Sequence, residues 1–140
     1  FGGRENLVWA RDLVSDDPNF GAHALITDWS GSSFSFAFGA ERPVLFIDMP
    51  KKINNQDFSK FNAIPLEVSL RAEMGEILST ERMGDAAKIL KRLCSDPDYW
   101  SRNLSQLRRT WCYNDGQSAE QAAAAIAELA DRTGPKSTAQ

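Results

Sequence analysis

The residues best suited to chemistry lie in one short stretch of the chain, residues 27–33. A glycine there would let the backbone approach a ligand closely, and serine hydroxyls can donate hydrogen bonds to phosphate oxygens. The stretch holds Asp28, Ser30, Gly31, Ser32 and Ser33. These residue types at this spacing predict a phosphate-binding turn, with an ordinary serine-capped helix as the alternative.

Apolar runs on both sides of this stretch indicate the elements that position it. We predict a strand over residues 24–27, a helix over 34–39 closed by Gly39, and a strand over 44–47 that ends at Asp48. Both strands are apolar throughout, which is typical of strands buried on both faces and favours parallel pairing through a right-handed crossover. The turn would then lie at the carboxyl end of a strand and at a helix N-terminus, where unpaired amides and the helix dipole favour an anion.

The remainder of the chain is predicted to be mainly helical. A short strand over residues 6–9 and a short helix over 16–22 precede the turn, and a loop spans residues 51–65. Helical periodicity then predicts helices over residues 68–78, 83–94, 97–111 and 118–133. Ser118 and Gln121 have the spacing of a capping box.

Apolar stripes on these helices are predicted to form the core. The second helix would bury Met83, Ala86, Ala87, Leu90, Leu93 and Cys94, the third Trp100, Leu104, Leu107 and Trp111, and the last Ala122, Ile126 and Leu129. The predicted fold class is therefore α/β, a partial Rossmann-like unit with a short parallel sheet and a helical C-terminal region. We expect one domain over residues 1–133 and a disordered tail over 134–140. Because doubly wound sheets usually have about five or six strands, we expect a fragment of a longer protein.

Composition excludes several classes of function. The chain has 140 residues, a net charge of −3 and a pI near 5.2, which argues against a nucleic-acid partner. No apolar run approaches the ~20 residues of a transmembrane segment. With only Cys94, Cys112 and His23 as cysteine and histidine residues, we expect no metal site and no cofactor. We expect reduced cysteines in a cytosolic protein, with a disulfide as the alternative.

Two segments resemble a known family. Residues 24–48 contain A-L-I-T-D-W-S-G-S-S, an aromatic-rich helix and R-P-V-L-F-I-D, and residues 113–120 contain an N-D-G-Q-S turn. This pattern resembles the C-terminal domain of the CDP-glycerol glycerophosphotransferase family, whose enzymes have the two-domain GT-B fold and build teichoic-acid-type polymers of the cell wall. Outside these segments the similarity is one of helix order.

The resemblance implies a role for each residue of the turn. Ser30, Gly31, Ser32 and Ser33 would line the pyrophosphate of a nucleotide-linked donor such as CDP-glycerol, and Asp28 would brace the turn. Ser35 departs from the family pattern, which has an acidic residue there that would hold a ribose hydroxyl. Ser35 could bond the sugar more weakly, or could simply pack against a neighbouring helix.

The resemblance also implies that this chain alone does no catalysis. The catalytic histidines of the family lie upstream, and His23 matches neither of them, so we expect the donor-binding half of a transferase whose missing domain receives a glycan or lipid-linked acceptor. The alternatives are a degenerate GT-B domain that serves as an interaction module and a flavodoxin-like regulatory domain. We expect a cytoplasmic location, with peripheral attachment to the inner face of the membrane left open.

Overall fold

The computed structural model describes residue 6 and residues 21–51, 57–60 and 64–133, without the side chains of residues 59 and 133. Residues 7–9 of the predicted strand over 6–9, most of the predicted helix over 16–22 and the predicted tail over 134–140 lie outside the described residues. The chain divides after Leu104 into two compact units, which are described separately. The single domain over residues 1–133 stays a prediction.

The first unit contains a three-stranded parallel sheet, which confirms the predicted α/β class. Strand β1 is Leu25–Thr27, helix α1 is Ser32–Ala40, strand β2 is Val44–Asp48 and strand β3 is Gly75–Ser79. The strand order is β1-β2-β3, with Thr27 opposite Phe46 and Phe46 opposite Ile77. All three strands therefore end at one edge of the sheet, which we call the carboxyl edge.

The two predicted strands differ in burial. Val44, Leu45 and Phe46 of β2 are fully buried, as expected for a strand covered on both faces. The same prediction is wrong for β1, because Ile26 is 53% exposed. In the described sheet β1 is an edge strand that pairs only with β2, so it receives less cover.

Helix α1 begins two residues before its predicted start and extends one residue beyond Gly39. The left-handed position after the helix is occupied by Glu41, with φ of 52°, rather than by the glycine. Phe36 and Ala37 pack into the interior.

The predicted helix over residues 68–78 is wrong. Two short helices, α2 (Leu66–Ser69) and α3 (Arg71–Met74), lead directly into β3. Leu70, Met74 and Leu78 do keep helical spacing and are all buried. Gly75 nevertheless lies so close to β2 that a side chain there would overlap the Val44 carbonyl, and this backbone contact allows a strand to form. In the predicted loop over residues 51–65, the described part contains a 3₁₀ turn, Phe58–Lys60.

Helix α4 (Ala86–Leu93) follows a 3₁₀ segment, Thr80–Asp85, so it begins three residues after the predicted start at residue 83. Its buried face is also shifted around the helix axis. Ile89 and Leu93 pack with Leu45 and Leu78 as one apolar cluster, with Ala86 and Leu90 at its margin. Burial of the remaining predicted positions is wrong, since these side chains are exposed: Met83, Ala87 and Cys94.

Helix α5 (Pro97–Trp111) begins as predicted, because the Tyr99 amide donates a hydrogen bond of 2.9 Å to Oδ1 of Asp96. Trp100 packs against the apolar cluster and Leu104 is fully buried.

The second unit carries the end of α5 and helix α6 (Ser118–Thr133). Leu107 is buried, but Trp111, Ala122, Ile126 and Leu129 are exposed, so their predicted burial is wrong. The predicted turn is present, with φ of 54° at Asn114 and 79° at Gly116. The capping box is wrong, because the Ser118 hydroxyl donates to the carbonyls of Tyr113 and Asn114. Among the described helices, none is long and apolar enough to cross a membrane.

Candidate functional site

The serine-rich turn after β1 winds tightly into α1. The Ser33 amide donates to the Ser30 carbonyl at 3.1 Å, and the Phe34 amide donates to the Gly31 carbonyl at the same distance. The Ser33 hydroxyl also donates to the Ser30 carbonyl, at 2.8 Å, and Ser33 is only 2% exposed. Ser33 therefore supports the turn from inside the protein.

The other two serines face outward and bond to each other. The Ser30 and Ser32 hydroxyl oxygens are 2.8 Å apart, and the Ser32 amide donates a long bond of 3.3 Å to Ser30 Oγ. Ser32 is exposed and Ser30 is half-buried. An added side chain at Gly31 would meet no atom within 4 Å, so the space beside the turn is open. We call Ser30, Gly31 and Ser32 the serine rim.

The amides at the start of α1 differ from the expected unpaired set. Those of Ser32, Ser33 and Phe34 all bond within the turn. A short turn before the helix supplies acceptors that an isolated helix would lack. Of the three, the Ser32 amide has the longest bond, and its acceptor is a hydroxyl oxygen that a phosphate oxygen could replace.

Asp28 and Ser35 lie outside this hydrogen-bonded turn. In the described part of the chain, the exposed Asp28 carboxylate has no hydrogen-bond partner. Ser35 is exposed on α1, three residues beyond Ser32. The exposure of Ser35 argues against the alternative prediction that it packs against a neighbouring helix. Residues three apart on a helix share a face, so Ser35 lies on the same side of α1 as Ser32.

A buried arginine occupies the same edge of the sheet and was not predicted from the sequence. Arg71 of α3 is 3% exposed. Its guanidinium carbon lies 3.8 Å from the centroid of the Trp29 ring and 5.0 Å from that of Phe46. Nη1 donates to Asp48 Oδ1 at 3.1 Å. These residues, Trp29, Phe46, Asp48 and Arg71, form what we call the arginine cluster.

The arginine cluster connects the ends of two strands. Trp29 precedes Ser30 in the turn after β1, and its indole Nε1 donates to the Met49 carbonyl after β2 at 2.6 Å. Lys51 Nζ lies 5.4 Å from the same ring. The serine rim is therefore tied to the end of β2 through one aromatic side chain.

The hydrogen-bonding capacity of Arg71 is only partly used. Nη2 reaches the Ile47 carbonyl at 3.4 Å, a long bond, and Nε is buried with no partner among the described atoms. A buried cation in this state strongly favours a nearby anion. No local sequence pattern marks Arg71, because a single arginine in an apparently continuous helix has no motif around it.

The end of β3 adds a negative charge to this edge. Hydrogen bonds from its own backbone amide, and then from the side chains of Ser79 and Thr80, lower the pKa of the Glu81 carboxyl. Thr80 Oγ1 donates to Glu81 Oε1 at 3.0 Å. Glu81 is exposed and ionised at neutral pH.

A separate cleft of about 140 Å³ contains none of the predicted site residues. Its lining includes the ion pairs Arg82–Asp85 and Arg92–Glu76. In the described ranges, no three His, Cys, Asp or Glu side chains converge as metal ligands, and both cysteines are free thiols.

Comparison of the chain with models of protein families, with curated proteins and with solved structures finds no match.

Proposed function

We propose that this chain is the donor-binding half of a transferase that moves glycerol phosphate, or a sugar, from a nucleotide-linked donor to a cell-surface glycan. CDP-glycerol is the donor that the similarity in residues 24–48 favours. The observation that carries the proposal is the exposed hydroxyl pair of Ser30 and Ser32, at the start of α1 and at the carboxyl edge of a parallel sheet.

The chemistry of this pair suits a phosphate group. One of the two hydroxyls now donates to the other at 2.8 Å, whereas a phosphate oxygen would accept a hydrogen bond from both. The Ser32 amide could turn its long bond from Ser30 Oγ to the same oxygen. The positive end of the α1 dipole would favour the charge that develops on the departing nucleotide.

Ser33 and Ser35 take supporting roles in this proposal. Ser33 holds the turn through its bond to the Ser30 carbonyl. Ser35, on the rim side of α1, would offer the ribose a neutral hydrogen bond in place of the acidic residue of the family. The base that activates the acceptor hydroxyl would come from a second domain, since a general base must lie within hydrogen-bond reach of that hydroxyl.

Titration calorimetry of the full chain with CDP-glycerol, CDP and UDP tests this proposal. We expect saturable binding of a cytidine nucleotide, lost in the double variant Ser30→Ala, Ser32→Ala. Ser95→Ala is the matched control, because Ser95 is also exposed and donates to a backbone carbonyl, that of Arg92. It should bind like the parent chain.

Absence of binding to all three nucleotides, in a chain shown to be folded by circular dichroism, would contradict donor binding. That result would favour the interaction module. Binding that survives in the double serine variant would place the donor elsewhere on the chain.

A further inference from the structure

The ion pair between Arg71 and Asp48 is asymmetric in exposure. The Arg71 side chain is 4% exposed, whereas that of Asp48 is 50% exposed. The cation is therefore fixed in the interior, while its counterion faces solvent at the end of β2. Because half of its side chain is exposed, Asp48 is the member of the pair that an incoming anion could displace.

The guanidinium also holds more donors than its neighbours satisfy. One Nη1 bond to Asp48, one long Nη2 bond to the Ile47 carbonyl and an unpartnered Nε leave capacity for a further acceptor. A phosphate presents three acceptor oxygens and matches the planar fork of arginine better than a single carboxylate oxygen does.

The unused donors of Arg71 lie near the serine rim. The guanidinium packs at 3.8 Å on the ring of Trp29, the residue immediately before Ser30. An anion that enters from the exposed side of Asp48 would thus meet the guanidinium at the same edge of the sheet as the two hydroxyls.

We propose that Arg71 is an anion-binding residue for the phosphate groups of the donor, and that Asp48 is an internal counterion which the ligand displaces. Identification of the ligand as a nucleotide diphosphate rests on the proposed function; the exchange of a carboxylate for a phosphate on Arg71 does not. In the ligand-free chain Asp48 neutralises the buried cation, and in the complex the phosphate takes over that role.

Inorganic pyrophosphate is the probe, titrated calorimetrically into the full chain and its variants. Asp48→Asn keeps the shape and a hydrogen-bond acceptor but removes the competing charge, so pyrophosphate should bind about tenfold more tightly. Arg71→Lys keeps a charge but loses the planar fork, so binding should weaken about tenfold. Asp85→Asn is the matched control, because Asp85 pairs with Arg82 on an exposed surface, and its affinity should equal that of the parent chain.

Unchanged or weaker pyrophosphate binding in folded Asp48→Asn would overturn the proposal, as would absence of binding in both the parent chain and this variant. If circular dichroism shows that Arg71→Lys does not fold, the increase in pyrophosphate affinity expected for Asp48→Asn still tests the proposal. CDP-glycerol binding that depends on Ser30 and Ser32, without a gain in Asp48→Asn, would leave the proposed function standing and remove the counterion role. Tighter pyrophosphate binding in Asp48→Asn, in a chain that binds no nucleotide, would support the counterion role and contradict the proposed function.

Discussion

The carboxyl edge of the sheet has two neighbouring regions that differ in almost every physical respect. The serine rim is open to solvent, and its two hydroxyls bond to each other. In the arginine cluster the cation is buried, with the Arg71 guanidinium carbon 3.8 Å from the centroid of the Trp29 ring and 5.0 Å from that of Phe46. Trp29 connects the two regions, because it directly precedes Ser30 in the chain and its ring packs against Arg71.

The two regions are expected to contribute differently to stability and to ligand binding. Interactions among exposed hydroxyls add little to stability because water replaces them readily, so the rim is free to exchange partners with a ligand. Packing of Arg71 against Trp29 and Phe46, in contrast, holds the end of β2 to the turn after β1. We therefore expect removal of the buried Arg71 side chain to lower stability as well as anion binding, and substitutions at the rim to change binding with little effect on stability.

The largest expected effect is on the backbone contact that supports the buried region. In Gly75→Ala the new methyl group would overlap the Val44 carbonyl and separate β2 from β3. We expect the free energy of unfolding to fall by about 3 kcal/mol or more. Urea denaturation followed by circular dichroism measures this.

Gly84→Ala is the control, since a methyl group there meets no atom within 4 Å. Equal stability of the two alanine variants would contradict the close contact between Gly75 and β2.

Removal of the buried cation should have the next largest effect. Arg71→Ala would lose the packing between Trp29 and Phe46, and we expect a loss of about 2 kcal/mol in the free energy of unfolding. Arg102→Ala is the control, because Arg102 is exposed on α5. A loss for Arg71→Ala no larger than that for the control would remove the contrast between buried cluster and open rim.

Two adjacent serines sharpen the comparison within the turn itself. Ser33→Ala removes a buried hydroxyl bonded to the Ser30 carbonyl and should cost about 1 kcal/mol of unfolding free energy. Ser32→Ala removes an exposed hydroxyl and should cost less than about 0.5 kcal/mol. Thermal denaturation of both variants tests this, and the reverse order would show that the two serines have been assigned the wrong roles.

The smallest expected effect concerns the departure from the family pattern at Ser35. Ser35→Asp would supply a charged acceptor for a ribose hydroxyl, and we expect CDP to bind about threefold more tightly. Ser35→Asn has nearly the same shape without the charge and should change the affinity little. If both variants bind CDP equally, residue 35 does not contact the ribose.

The elements that could be predicted from the sequence are those marked by a local pattern of residues. β1, α1 and β2 are confirmed because each is a short apolar run bounded by turn residues, and a strand–helix–strand order leads to parallel pairing. β3 was missed because its apolar residues continue the helical spacing of Leu70 and Met74. Its strand conformation depends on Gly75 packing against a distant part of the chain, which no local window contains.

The candidate site shows the same division. The serines lie close together in sequence next to a predicted helix, so they could be named as candidates, although Ser32 and Ser33 form the first two residues of α1 rather than the turn before it. Arg71 was not predicted, because its partners are distant in sequence: Asp48 is 23 residues away and Trp29 is farther still. Both separations exceed the window of roughly 11 to 18 residues from which periodicity is read. The exposed stripe of Ile126 and Leu129 was predicted to be buried because periodicity reports an apolar face without showing what covers it.

The central claim is that the serine rim binds the phosphate of a nucleotide-linked donor, and backbone NMR of the full chain during titration with CDP-glycerol tests it most directly. We predict saturable shifts at the amides of Ser30 to Phe34, largest at Ser32, and their loss in the variant Ser30→Ala, Ser32→Ala. Amides in this segment that stay unchanged up to millimolar ligand, in a folded chain, would contradict the claim.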